Sequence, residues 1–227
     1  MDKPVEYEQT DSRWRNVMYS STGNRYQTIG TDGCGPTCAA MVVATLRNTT
    51  PKVTPEQAAD WSVSHGYLSP NDGTYWSYFH AYLEEYNIKV TQTSQANRAE
   101  TALRNNRMVI TSMGRGQWTT GGHFILAYGI NGSKVLIHDP NSEASYREQG
   151  DLYKYKNEAV QFWIIEEAWK VDIRKIELVS KDTNATVTVN AILYNGENYI
   201  RLRDVPEIAP LAIGYENGKP TFDLRYK

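Results

Sequence analysis

The run Asp32-Gly33-Cys34-Gly35-Pro36-Thr37-Cys38-Ala39-Ala40-Met41 constrains this chain more than any other stretch. It reads as a loop breaking into a helix, with a cysteine at the break. Gly33 and Gly35 permit close backbone approach, and Pro36 suits a first helical turn, where its missing N–H has no intrahelical partner anyway. Behind it Cys38, Met41, Val42 and Thr45/Leu46 recur at the spacing of a buried helical stripe, predicting a helix over 36–47. Cys34 then sits at the positive end of that helix, where free N–H groups and the macrodipole favour a thiolate. Cys38, one turn in, reads as a small buried residue. A disulfide between cysteines four apart in a helix is geometrically poor, and no second pair of cysteines exists to complete a zinc site.

Along the chain, residues 4–30 read as a loop-rich segment lying across something else. Thr54-Pro55-Glu56-Gln57 has the form of a capping box and starts a helix that Gly66 stops near His65. Asn71-Asp72-Gly73 predicts a turn, after which Thr74 would cap a third helix carrying Tyr75, Phe79, Tyr82, Leu83 and Tyr86 on one side. A strand at 88–90, a helix at 97–105 and a strand at 108–112 follow. Helices first and strands afterwards make an α+β order. The loop Met113 to Gly122 is glycine-rich but lacks the spacing of a phosphate-binding fingerprint, and reads as a groove wall.

His123-Phe124-Ile125-Leu126-Ala127-Tyr128-Gly129-Ile130 and Ser133-Lys134-Val135-Leu136-Ile137-His138-Asp139 flank Asn131-Gly132, a strong hairpin signal. A two-residue turn pairing Ile130 with Ser133 puts His123 and Asp139 on opposite faces. A three-residue loop with Gly132 left-handed pairs Gly129 with Ser133 and stands His123 directly opposite Asp139, within hydrogen-bond reach. Apolar patterning fits both registers; the second is the expectation here, because it gives His123 a carboxylate partner. His138 falls on the other face, beside Phe124, and with His65 and His80 is assigned to structure. Val160 to Ile165 forms a further apolar strand. From Val171 onward short alternating segments (173–179, 186–193, 199–202, 221–224), separated by Asn195-Gly196, Pro206, Pro210 and Asn217-Gly218, predict a small β-rich module.

Composition narrows the function classes. A net charge of −2 over 227 residues supplies no basic field for nucleic acid. No apolar stretch reaches the length of a membrane span, and the N-terminus shows no signal-peptide core. Sixteen Tyr and six Trp against four Phe suit a wet groove that holds peptide or sugar.

Gly33-Cys34-Gly35-Pro36-Thr37, Gly122-His123-Phe124-Ile125 and His138-Asp139-Pro140-Asn141-Ser142, with Gln9-x-Asp11-x-x-Trp14 upstream, resemble the double-glycine-peptidase-like branch of the papain-like cysteine peptidases. The resemblance covers about residues 5–168, in the order glutamine, cysteine, histidine, aspartate. It implies a papain-like α+β fold, with N-terminal helices and an antiparallel sheet over 1–168, followed by the β-rich module at 171–227. It also implies a Cys34-His123-Asp139 triad, with Gln9 helping to form the oxyanion hole and no metal or other cofactor. Tyr194-Asn195-Gly196-Glu197-Asn198-Tyr199-Ile200-Arg201-Leu202-Arg203-Asp204 is similar to stalk-like repeats named after the copper amine oxidase N-terminal domain. Those repeats occur in bacterial surface proteins and phage lysins, and the similarity implies no copper, since the module contains no His or Cys. The expected activity is a cysteine peptidase or amidase, with bacterial cell-wall stem peptides as the favoured substrate and residues 171–227 as the wall-binding part. Such a protein would act secreted, wall-associated or released at phage lysis. A peptidase of ordinary peptides and a non-catalytic surface-binding protein on the same scaffold are the alternatives.

Overall fold

A computed structural model describes residues 3–47, 49–70, 73–141 and 145–170, together with five strands between 172 and 224. The chain divides into two compact units, Met1–Trp169 and Lys170–Lys227.

In the first unit a short helix α1 (Ile29–Asp32) runs directly into α2 (Cys34–Leu46), then α3 (Pro55–Ser64). A two-residue ladder of β1 (Leu68–Ser69) and β2 (Gly73–Thr74) precedes α4 (Tyr78–Glu84). Next come β3 (Val90–Thr93), α5 (Ala96–Arg104), β4 (Arg107–Met113), β5 (His123–Asn131) and β6 (Lys134–His138). The unit closes with α6 (Ser145–Glu148), β7 (Gln149–Asp151), α7 (Leu152–Glu158) and β8 (Ala159–Ala168). The strands β3 to β8 form one antiparallel sheet in the order β3-β8-β4-β5-β6-β7. This is an α+β papain-like fold. Both faces of the sheet are covered. Phe124, Leu126 and Trp163 pack with Met41, Phe79 and Tyr82 from α2 and α4, while Val109, Ile125 and Ala127 pack with Leu103 of α5 and with Trp118 and Tyr155. Being covered twice, β5 shows continuous apolar character instead of alternation.

Several expectations need correction. Helix α2 begins at Cys34, two residues earlier than the proline suggested, because α1 delivers the chain to Gly33 already turning. Cys38 through Ala44 are all buried, so α2 is a core helix apolar on every side. The segment 4–30 does more than lie across its neighbours, since Trp14, Tyr19 and Ile29 form a third core with Ala59 and Leu68. Thr74 caps nothing. It pairs with Leu68 in the small ladder, its hydroxyl lies 2.9 Å from Tyr19 Oη, and the helix starts at Tyr78. The strand expected at 88–90 lies at Val90–Thr93, because Ile88 is drawn into the core. The capping box of Thr54 and Gln57 is present as read.

The hairpin follows neither register. Asn131 pairs with Lys134 across the two-residue turn Gly132-Ser133, where Gly132 has φ +60°. A bulge at Tyr128 then moves the pairing by one, so that Ala127 faces Ile137 and Leu126 faces His138. That extra residue restores the face parity an uninterrupted two-residue turn would have lost. Continued one step, the shifted frame sets Asp139 against Ile125 and diagonal to His123, not directly opposite it.

The second unit consists of β9 (Asp172–Val179), β10 (Thr186–Tyr194) and β11 (Glu197–Ile200) in the order β11-β10-β9, and a separate pair, β12 (Leu211–Glu216) with β13 (Lys219–Leu224). The turn signals at Asn71-Asp72, Asn195-Gly196, Pro206, Pro210 and Asn217-Gly218, and the motif residue Ser142, lie outside the described residues.

Candidate active site

Cys34 is the first residue of α2, with Gly33 as its N-cap. The two flanking glycines are there for lack of space. A Cβ on Gly33 would lie 2.5 Å from the Ile29 carbonyl oxygen, and one on Gly35 would lie 2.5 Å from Thr74 Oγ1. Cys34 is partly exposed and unbridged, whereas Cys38 is fully buried and burial pushes its thiol pKa well up. Only Cys34 faces the cleft with the first-turn N–H groups of a core helix behind it.

His123 opens β5 and Asp139 lies just past β6, with Nε2 and Oδ1 2.7 Å apart. Asp139 is anchored on both oxygens. The Asn141 backbone N–H donates to Oδ1 at 2.9 Å, and Arg147 Nη1 donates to Oδ2 at 3.0 Å. Since Asp139 takes Nε2, Nδ1 is the ring nitrogen left for Cys34, which lines the same two hollows as His123. Burial disfavours the imidazolium, but the hydrogen bond to Asp139 and the interaction with the Cys34 side chain prevail and raise the His123 pKa to about 9.

Gln9 reaches the same place from the N-terminal segment. Its backbone N–H donates to the Pro140 carbonyl at 2.7 Å, tying it to the turn that holds Asp139. Its side chain is buried, and Nε2 donates one hydrogen to the Gly30 carbonyl at 2.9 Å, leaving a second amide hydrogen to give. Two hollows flank Cys34 and His123. One, of about 380 Å³, is lined by Asp32, Thr74, Trp76, Ser112 and Phe124; the other, of about 320 Å³, by Gln9, Asn141, Arg147 and the loop Gly116–Thr120. The glycine-rich loop is thus a cleft wall, as expected.

All four residues singled out from the sequence converge on this cleft. Arg147 was not foreseen, since nothing in the spacing of a lone arginine in a polar stretch pairs it with Asp139. His138 packs tilted against Tyr128 with ring centroids 4.5 Å apart, and its ring nitrogens lie 3.2 Å from the Pro4 carbonyl oxygen and 3.1 Å from a Glu6 carboxylate oxygen, which makes it an anchor for the N-terminal segment. His65 stacks on Trp61 at 4.0 Å, and His80 is exposed on α4. Neither lies at the cleft.

Comparison with a family profile agrees on the fold. The profile of the Peptidase_C39 like family matches residues 9–170. No curated protein matches the chain. Among solved structures, the peptidase domain of Streptococcus ComA, a bi-functional ABC transporter involved in a quorum sensing pathway, is similar at 16% identity with a TM-score of 0.44. That match covers 60% of this chain and 90% of that one.

Proposed function

The chain belongs to the Peptidase_C39 like family and is a cysteine peptidase, and from that premise we propose that Cys34, His123, Asp139 and Gln9 are its catalytic groups and bacterial cell-wall peptide its substrate. The observation carrying the first part is the His123 ring, held by Asp139 at 2.7 Å on one nitrogen and lining the same two hollows as Cys34.

In this reading Cys34 Sγ attacks the peptide carbonyl while its proton resides on His123 Nδ1. The oxygen that becomes negative is received by the Cys34 backbone N–H and the second amide hydrogen of Gln9. Removing one such donor commonly costs about 10²–10³ in rate. His123 then gives its proton to the leaving amine, and the acyl group remains on sulfur as a thioester. Water, deprotonated by the now neutral His123, attacks the thioester and releases the acid. Asp139 fixes the ring orientation throughout, and Arg147 and the Asn141 N–H keep that carboxylate in place.

The choice of cell-wall peptide draws on the strand-built second unit, whose sequence resembles stalk-like repeats of surface proteins and lysins and which would act as an anchor holding the enzyme at a wall. Incubation with purified peptidoglycan and, separately, with casein, followed by mass spectrometry of the released ends, tests both parts. New amino and carboxyl termini in the peptidoglycan stem peptides are expected. Cleavage of casein alone would replace the wall substrate by ordinary peptides, and cleavage of neither would overturn the hydrolase reading.

A further inference from the structure

The hollow of about 380 Å³ beside Cys34 carries two features that the four catalytic groups leave unused. Asp32, the last residue of α1 and two residues before the nucleophile, lines it. The only hydrogen bond to its carboxylate among the described residues comes from the neighbouring Thr31 hydroxyl, and it forms no ion pair there. Trp76 lines the same hollow, 43% exposed, and its ring is held edge-on to the buried Trp163 at 5.7 Å. Thr74 and Ser112 add hydroxyls to the lining. The opposite hollow differs in charge, since its cation, Arg147, is paired with Asp139.

A carboxylate without a counter-ion and a fixed, half-open indole favour the same kind of ligand. The carboxylate attracts a cation through charge, and the indole face attracts one through its quadrupole. An acidic or purely apolar group would meet repulsion or leave the carboxylate unpaired. We propose that Asp32 and Trp76 form a specificity subsite for a cationic group, an ammonium or guanidinium on a residue close to the scissile bond, so that the enzyme selects amine-bearing peptides. This rests on the peptidase reading only for the word substrate; the subsite itself is probed through Cys34 without any hydrolysis.

The test compares rates of Cys34 modification by methanethiosulfonates bearing a 2-aminoethyl, an ethyl or a 2-sulfonatoethyl group, in the full chain and in Asp32→Asn and Trp76→Ala. Cys38 is buried and stays silent, so the thiol counted is Cys34. The cationic reagent should outpace the neutral one in the natural protein. That ratio should fall by about fivefold in Asp32→Asn, as for a charge pair in a partly screened cleft, and by less in Trp76→Ala. Taking ratios cancels any general change in thiol reactivity. A second arm uses peptides cleaved by the enzyme, comparing lysine with acetyl-lysine at each position flanking the cut; the lysine form should be preferred at one of them, and Asp32→Asn should abolish that preference. Equal cationic and neutral rates, or a ratio unchanged by Asp32→Asn, would overturn the subsite even if hydrolysis is observed. Absence of hydrolysis with the charge preference intact would count against the peptidase reading alone.

Discussion

Two cysteines four residues apart have opposite fates because one begins α2 and the other lies a turn inside it. Cys34 should react with iodoacetamide within minutes while Cys38 stays unmodified until the protein unfolds, since Cys38 is 0% exposed and burial holds its proton. Peptide mapping after a short exposure checks this; equal labelling would contradict the placement of the helix. His123 is the residue with a pH signature. Its folded pKa of about 9 lies above the ordinary 6.5, so its interactions stabilise the fold fully below pH 6.5 and are lost as pH rises through about 9. The melting-temperature difference between the natural protein and His123→Gln should therefore shrink between those values. The alkaline limb of kcat/KM should fall near the same upper value, as the proton for the leaving amine is lost. A pH-independent melting difference would contradict the shift. At this scale the candidate site was largely legible, because a cysteine, a histidine and a glutamine of the proposed roles leave residue types and glycine neighbours that can be read. Arg147 was not, because an ion pair bridging eight residues in a polar stretch has no pattern of its own.

Elements hold the site together through tight approaches that local sequence encodes only partly. Gly35 is compatible with the Thr74 hydroxyl only because it lacks a Cβ. Gly35→Ala should lower stability by about 1–3 kcal/mol through overpacking and reduce turnover with it, since α2 must shift to make room. A melting curve and a rate measurement check both, and an unchanged variant would show that the helix start is looser than described. The hairpin shows where reading stops. The contact between His123 and Asp139 was expected and is present, but its route was not. The expected three-residue loop is replaced by a two-residue turn at Gly132-Ser133 and a bulge at Tyr128. Apolar residues on both faces of β5 carry no alternation to fix a register, and a bulge has no side-chain signature unless glycine marks it. Likewise Thr74 looked like a cap from its position after a glycine turn, yet its hydroxyl is engaged with Tyr19, far away in sequence.

Across the whole molecule, every catalytic candidate lies within Met1–Trp169. Trp169 belongs to that unit, its indole N–H donating to the Tyr128 carbonyl at 2.8 Å and its backbone N–H to the Asn106 carbonyl at 2.9 Å. A chain ending at Lys170 should therefore fold and cleave a small soluble peptide at a rate close to that of the full protein. If the second unit is the wall anchor proposed, that shorter chain should lose most of its activity on intact cells or walls, because an anchor acts by raising effective concentration. Equal losses on both substrates would assign residues 171–227 to structural support instead. The change in character near residue 170 was legible from composition and strand length. A ligand for the second unit was not, because a short alternating strand encodes its pairing and not what it binds.

The central claim is that Cys34 carries the acyl group, and acid-quenched mass spectrometry during turnover tests it most directly. Peptide mapping should find a hydroxylamine-labile acyl adduct on the peptide containing Cys34, and Cys34→Ala should show neither adduct nor hydrolysis while keeping its melting temperature. Hydrolysis that persists in a folded Cys34→Ala protein, or an adduct on any other residue, would contradict it.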